Sequence, residues 1–434
     1  MSSAIRTRVG ANAVANRLLS EDQCVHAWYR FVLSFPPHLV RHYLERFGVT
    51  SLDQVLDPFC GTGTTLVECK KRGIPSVGIE AHPMTCFASQ VKLDWTPAPE
   101  ALVAHARKVA AAAQKQLEAQ GIGDVAISAV DCRSLRSLPE ESAKLLLRGS
   151  ICPVPLHRAL VLLEAIDRLQ DERYRGHELL ALANVLVASA SNLHFGPEVG
   201  VGRPKPDASV VSPWIVHLGR MADDVREVVG AAATPAVVHN ADSREVIRSP
   251  EAQSISAVIT SPPYPNEKDY TRITRLESVV LGFIRTRAQL QALKRRLVRS
   301  NTRGVYKGDS DDSWVAGHPE IERLADEIER RRVQLGKTSG FERLYPALTK
   351  LYFGGMARHL AELRPCLRPG AHLAYVIGDQ ASYLRVMIRT GRILAGIARS
   401  LGYEVVGRDL FRTRLATATR ELLREEVLVL RWPG

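Results

Sequence analysis

The strongest constraint on the fold is an alternation of short apolar runs and helical stretches that begins at residue 54. Gln54-Val55-Leu56-Asp57 reads as a buried strand, and residues 65–72 have helical character ending at Gly73. Residues 75–80 form a second strand candidate, and His82-Pro83 starts a second helix, with proline at its first turn. Strand–helix–strand repetition of this kind specifies an α/β fold with a mostly parallel sheet and right-handed crossovers. Further strands are expected at 236–238, 257–260, 373–377, 404–406 and 426–431, making seven in all.

Two segments interrupt that rhythm. Residues 98–231 are dominated by helical stretches such as 101–120 and 154–169, with a Gly- and Pro-rich loop at 196–212, and read as a helical insertion. Residues 282–344 form a charged insertion, in which 319–335 places Ile321, Leu324, Ala325 and Ile328 on one helical face. Helices are also expected at 345–363 and 393–401, and residues 27–47 read as a helical lead-in around Phe35-Pro36-Pro37.

The 434-residue chain carries a formal net charge of +12, which points to a polyanionic partner if the charge is concentrated. It is concentrated at 285–307, where Arg285, Arg287, Lys294, Arg295, Arg296, Arg299, Arg303 and Lys307 occur with no Asp or Glu. That stretch is a candidate for contacting nucleic-acid phosphates, against the plainer reading of a solvated helix and loop. The seven cysteines form no CxxC pair and read as reduced, so a cytoplasmic setting is expected and no metal site is. The polar start lacks the apolar core of a leader, and the apolar run at 179–187 is too short for a bilayer, so no membrane partner is expected.

Two strings at strand ends carry chemistry. In Asp57-Pro58-Phe59-Cys60-Gly61-Thr62-Gly63-Thr64-Thr65, a glycine turn joins a strand to a helix start, where backbone approaches a ligand closely and the helix dipole is positive. The string is not GxGxxG, so a nucleoside-containing cofactor is favoured over a dinucleotide. Glu80, ending the second strand, is placed to accept ribose hydroxyls, although a carboxylate capping the next helix would look the same. Asp242, after the third strand, is a candidate acceptor for an adenine amine, with Asp131 as its rival.

The second string is Thr260-Ser261-Pro262-Pro263-Tyr264. An exocyclic base amine is a poor nucleophile because its lone pair is delocalised into the ring. Acceptors that grip its N–H groups favour the tetrahedral form that attacks a sulfonium methyl in line. Ser261 Oγ and the Pro262 carbonyl supply such acceptors, since proline fixes the backbone and frees that carbonyl from a continuing ladder. Tyr264 is suited to stacking on an extruded base. The bland alternative is a proline-rich turn with a surface tyrosine. No cysteine is expected where attack on a ring carbon would need one, which disfavours covalent base activation.

DPFCGTGTT, GIEAHP, NADSRE and ITSPPY together resemble the S-adenosylmethionine-dependent DNA amino-methyltransferases, the cytosine-N(4) and adenine-N(6) modification methylases. The resemblance extends to LRPGAHLAYVIGD and REEVLVLRW but not to the two insertions. It implies a Rossmann-like class I methyltransferase fold with S-adenosyl-L-methionine as cofactor and double-stranded DNA as partner, and a setting in restriction-modification or phage defence beside a cognate component. By matching position, Asp57, Phe59, Gly61, Thr62, Gly63 and Thr64 would line the cofactor, Glu80 its ribose and Asp242 its adenine. Ser261, Pro262, Pro263 and Tyr264 would handle the base.

A serine at the first position of the four-residue string usually accompanies cytosine in that family, and Asp or Asn adenine. Cytosine-N(4) methylation is therefore expected, with adenine-N(6) methylation and an RNA substrate as alternatives. A nicotinamide oxidoreductase leaves the SPPY string without a task, and a silent DNA-binding protein leaves Ser261 and the glycines without one. The implied organisation is a lead-in and cofactor half at 1–97, the helical insertion at 98–231, a catalytic strand region at 232–281, a DNA-contacting or target-recognising insertion at 282–344, and the rest of the catalytic domain at 345–434. Asp379, at another strand end, is a candidate for the base pocket or a structural cap.

Overall fold

The structure is a computed structural model that describes residues 18–29, 34–124, 135–195, 198–245, 251–266, 268–415 and 421–434. Asp131 lies outside the described residues. The expected strands form one seven-stranded sheet from β1 (Val55–Asp57), β2 (Ser76–Ile79), β5 (Ala236–His239), β6 (Ile255–Thr260), β7 (Leu367–Gly378), β8 (Glu404–Leu415) and β9 (Leu422–Arg431). Their order across the sheet is β5-β2-β1-β6-β7-β9-β8. Every pairing from β5 to β7 is parallel, and β9 alone runs antiparallel to both neighbours. This is a Rossmann-like α/β methyltransferase architecture.

The inner strands β1, β2, β6 and the second half of β7 are mostly apolar because both faces of the sheet are covered there. Side chains alternate across a strand, and the two sets fall in different cores. Val55, Ala257, Ile259, Ala374 and Val376 pack with Leu39, Val40 and Leu44 of the lead-in helix Pro37–Arg46. Leu56, Val258, Leu373, Tyr375 and Ile377 pack on the opposite face with helices Pro319–Gln334, Gly340–Leu363 and Thr390–Ser400. The face expected of residues 319–335 is the buried one, with Ile321 and Ile328 at zero exposure.

The helical insertion contributes helices Pro99–Ala119, Pro153–Arg168, Glu172–Val185 and Val211–Val228. They share a core with Leu66 and Val67 of helix Thr64–Lys71 and with Met84, Ala88 and Val91 of helix Pro83–Leu93, so they rest directly on the two helices that follow β1 and β2.

Three expectations need correction. Among the described residues of the 27–47 lead-in the α-helix is Pro37–Arg46, with Pro37 in its first turn, and the described residues before it hold short 3-10 turns at Ser20–Asp22 and His26–Trp28. Within the region expected as a loop at 196–212, β4 (Val199–Val201) pairs antiparallel with β3 (Leu193–Phe195) just before it. The strand expected at 404–406 continues to Leu415, since β9 offers it an antiparallel partner that no local pattern announces. No helix among the described residues is long and apolar enough to cross a membrane.

The second insertion is locked to the core by a close backbone approach. A Cβ placed on Gly354, in the middle of helix Gly340–Leu363, would overlap the carbonyl group of Asp311. Backbone cannot swing aside as a side chain can, so Gly354→Ala is expected to lower unfolding free energy by at least ~1–3 kcal/mol, read by thermal or urea unfolding. An unchanged midpoint would contradict the packing described.

Candidate active site

The order of strands reverses between β1 and β6, and in open α/β sheets ligands sit outside the carboxyl ends at such a switch point. Both sequence strings lie there. Asp57 ends β1 and Thr260 ends β6, and the Thr260 hydroxyl donates to Asp57 Oδ1 at 2.6 Å. The Phe59 amide donates to the same oxygen at 3.1 Å. Asp57 is fully buried, and burial pushes its carboxyl up to about 6 against the hydrogen bonds from Thr260, Thr65 and Phe59.

A cavity of about 660 Å³ opens above the two strand ends. Phe59, Gly61, Thr62, Thr64 and Glu80 line it from one side and Ser261, Pro262, Pro263 and Tyr264 from the other. The volume lies in the usual range for small-ligand sites, roughly 300–1,000 Å³. Gly61 and Gly63 both take positive φ, +53° and +84°, so the turn needs residues without a Cβ. At Gly63 a Cβ would also run into the Ser89 hydroxyl.

Glu80 fixes this turn from the next strand. Its Oε2 accepts from the Gly61 amide at 2.8 Å and its Oε1 from the His82 amide at 2.7 Å. Burial pushes its carboxyl up to about 7, with those two amides pulling the other way. His82 caps helix Pro83–Leu93 through Nδ1, and its Nε2 pairs with the Thr274 hydroxyl at 2.9 Å. Burial holds the imidazole down to about 4, so it is a neutral bridge between the glycine turn and the helix after the SPPY string.

On the other side, Ser261 Oγ donates to the Val376 carbonyl of β7 at 3.3 Å, which leaves its lone pairs for other donors. The Pro263 carbonyl accepts from the Tyr352 hydroxyl at 3.0 Å, and the Tyr264 carbonyl from the Asn266 amide at 2.8 Å. The Pro262 carbonyl takes no hydrogen bond among the described residues. The Tyr264 ring packs against the end of β7, where a Cβ on Gly378 would come within 2.8 Å of its Cε2.

Four expected residues stand back from the cavity, Asp57 and Gly63 within the turn itself and Asp242 and Asp379 beyond it. Asp242 has its carboxylate on Arg244, accepting from the backbone amide at 2.9 Å and from Nη2 at 2.6 Å, and it is Ser243 that reaches the wall. Asp379 pairs with Arg389 at 2.7 Å, while its neighbour Gln380 lines the cavity.

The basic stretch divides. Lys294, Arg296 and Arg299 turn inward to the cavity wall, where Lys294 pairs with Asp269 and Arg299 with Asp309, each at 2.7 Å. Arg296 holds the Asn240 carbonyl at 2.7 Å, and Asn240 in turn donates to the Glu80 carbonyl at 2.9 Å. Arg285, Arg287, Arg295, Arg303 and Lys307 are exposed.

Several wall residues carried no sequence signal that was read. Asn266, Lys268, Asp269 and Tyr270 follow the SPPY string directly, and their nearness in sequence was a usable clue. Arg412, Arg414 and Glu425 arrive from β8 and β9, which only the unforeseen length of that hairpin brings to the mouth. Cys60 also faces the cavity, but burial pushes its thiol well above the ordinary range, so it is no nucleophile.

Residues 20–90, which hold the lead-in helix, the glycine turn, Glu80 and His82-Pro83, match the family model of N6/N4 methyltransferases, described as DNA methylase. The chain shares this segment with DNA methylases. It is similar to the type II methyltransferase M.BsoBI of Geobacillus stearothermophilus, 25% identical over 93% of this chain and 83% of that protein. The type II methyltransferase M.AvaI of Nostoc sp. is 23% identical over 94% of this chain and 86% of its own length. A shorter, stronger match, 44% identical over 80 residues, links 18% of the chain to 15% of the type II methyltransferase M.MjaII of Methanocaldococcus jannaschii. The two longer alignments span both insertions, which the family model does not reach.

One buried pair beside the site links the stability of the fold to pH. The Tyr29 hydroxyl donates to Glu277 Oε1 at 2.5 Å, and burial pushes the Glu277 carboxyl from an ordinary 4.5 up to about 7. Because the folded-state value lies above the unfolded one, this carboxyl favours the fold most below pH 4.5, and that contribution is lost as pH rises through about 7. Urea unfolding of wild type and Glu277→Gln should therefore show the wild type losing ground to the variant as pH rises across that window. A gap that does not move with pH would contradict it.

Proposed function

We propose that the chain is a site-specific DNA methyltransferase that moves a methyl group from S-adenosyl-L-methionine to the N(4) amine of a cytosine turned out of duplex DNA. The observation that carries this reading is the common cavity, with the glycine turn and Glu80 on one wall and Ser261-Pro262-Pro263-Tyr264 on the other. Full-length similarity to type II methyltransferases supports a restriction-modification setting with a cognate component.

The residues present suit the cofactor. Gly61 and Gly63 leave the turn open to close approach, and Phe59, Thr62 and Thr64 border it. Glu80 keeps acceptor capacity for ribose hydroxyls while holding the turn, since each carboxylate oxygen has a second lone pair. Asp57 braces the turn from beneath. The adenine end belongs near Ser243, with Asp242 fixing that loop through Arg244. When bound, the cofactor supplies an electrophilic methyl on a sulfonium.

On the base side, Ser261 Oγ and the unpartnered Pro262 carbonyl accept the two amine N–H groups and turn the nitrogen lone pair toward the cofactor wall. Tyr264, fixed against Gly378, offers its ring face to the base. The Pro263 carbonyl, already bound to Tyr352, holds the corner rather than the substrate. The proton released on methyl transfer leaves from the nitrogen through these acceptors to water. Ser261 in place of Asp or Asn favours cytosine over adenine, and the exposed cations Arg285, Arg287, Arg295, Arg303 and Lys307 favour duplex DNA.

Mass spectrometry of nucleosides from DNA incubated with the protein and S-adenosylmethionine should detect N(4)-methylcytosine. Finding only N(6)-methyladenine, or only methylated RNA, would overturn the choice of substrate. Ser261→Ala should cut the methylation rate by about a hundredfold or more, the scale for losing one positioned polar group at a reacting centre, while retaining cofactor binding. Full activity in that variant would remove Ser261 from the chemistry.

A further inference from the structure

The ribbon of β8 and β9 outruns the rest of the sheet. β7 pairs with β9 only as far as Gly378 opposite Glu425, whereas β8 stays paired with β9 on to Leu415 opposite Leu422. Side chains alternate along this free ribbon, so Arg412, Arg414 and Glu425 share the face that lines the cavity, and Thr413, Arg424, Leu415 and Leu422 share the other. Arg414 is held in place on the cavity face: its Nη2 donates to Gln380 Oε1 at 3.0 Å and its Nε lies 3.2 Å from Glu425 Oε1. Its side chain keeps 40% exposure, so part of the guanidinium remains open to the mouth.

Lys268 stands at the same mouth, four residues beyond Tyr264. Its backbone is pinned on both sides, the amide to Asn266 Oδ1 at 3.1 Å and the carbonyl by Asn301 Nδ2 at 3.2 Å. Its ammonium has no carboxylate within ion-pairing distance among the described residues. Burial and the Arg414 charge lower its pKa, outweighing Glu198 and Glu425. Two cations thus line one rim, and among the described residues one of them is half-buried with no carboxylate in ion-pairing range, an arrangement that an anion between them would relieve.

We propose that Lys268 and Arg414 grip a backbone phosphate adjoining the nucleotide turned out of the duplex, and so act as positioning residues for the base at Ser261 and Tyr264. This rests on the DNA methyltransferase reading above and deepens it. It assigns the phosphate contact nearest the chemistry to the β8–β9 ribbon and the segment after SPPY, rather than to the exposed arginines of 285–307. Phosphate contacts of this kind fix register and orientation without reading sequence.

The test uses the full chain and a target duplex, found by methylation mapping, with a single neutral methylphosphonate replacing each phosphate next to the target base in turn. At one position the neutral linkage should raise the KM of wild type for DNA about tenfold, the scale of one charge-assisted hydrogen bond. Lys268→Gln and Arg414→Gln should each raise KM on unmodified duplex similarly, lose little more on the neutral duplex, and bind S-adenosylhomocysteine as wild type does. If wild type and both variants lose equally on the neutral linkage, the grip is elsewhere and the proposal fails. If the variants lose S-adenosylhomocysteine affinity instead, the anion is the cofactor carboxylate and the proposal fails. If wild type methylates no DNA, it is the underlying functional reading that has failed.

Discussion

The site depends on one buried hydrogen bond, from the Thr260 hydroxyl to Asp57 Oδ1 at 2.6 Å. β1 and β6 are neighbours in the sheet but nearly two hundred residues apart in sequence, and this bond ties their carboxyl ends together. It fixes the start of the glycine turn relative to the start of the SPPY corner. Buried with few other partners, Asp57 would be costly to desolvate without it, and its raised pKa reflects that cost. A methyl donor and an amine acceptor can meet only if their two loops share a frame to within a fraction of an ångström. The sheet supplies that frame, and this bond fixes the angle at which its two ends meet.

The insertions act on the same frame from outside. Arg296 reaches from the charged insertion to Asn240, which holds the backbone at Glu80, while Arg244 joins Asp242 to Asp311 of that insertion. The helical insertion packs its core against helices Thr64–Lys71 and Pro83–Leu93, which follow the cofactor turn and Glu80. Both regions are thus joined mechanically to the glycine turn and Glu80. The buried pair of Tyr29 and Glu277 places a titrating group in that same layer.

Much of the fold was legible because parallel strands buried on both faces must be apolar at every position, and glycines mark their ends. Val55-Leu56 and Val258-Ile259 show this well. What local patterning left unread depended on partners distant in sequence. The extent of β8 follows from pairing with β9, and half of its side chains face solvent, which erases the apolar run. The glycine turn and SPPY corner were readable as a constellation because proline and glycine each impose one backbone geometry. The fate of the basic stretch was not, since charge composition does not reveal that Lys294, Arg296 and Arg299 turn inward to Asp269, Asn240 and Asp309. Asp242 was singled out from its place after a strand, but the arginine two residues later claims its carboxylate.

The central claim is geometric, that the glycine turn and the double-proline corner serve one reaction. The most direct measurement is a crystal structure with a non-reactive S-adenosylmethionine analogue and a duplex containing the target base. The account predicts that the analogue lies along Phe59 to Thr64 with its ribose at Glu80, and that the group replacing the methyl points at a base amine held by Ser261 Oγ and the Pro262 carbonyl. An analogue bound away from the glycine turn, or a base amine facing away from it, would contradict the account.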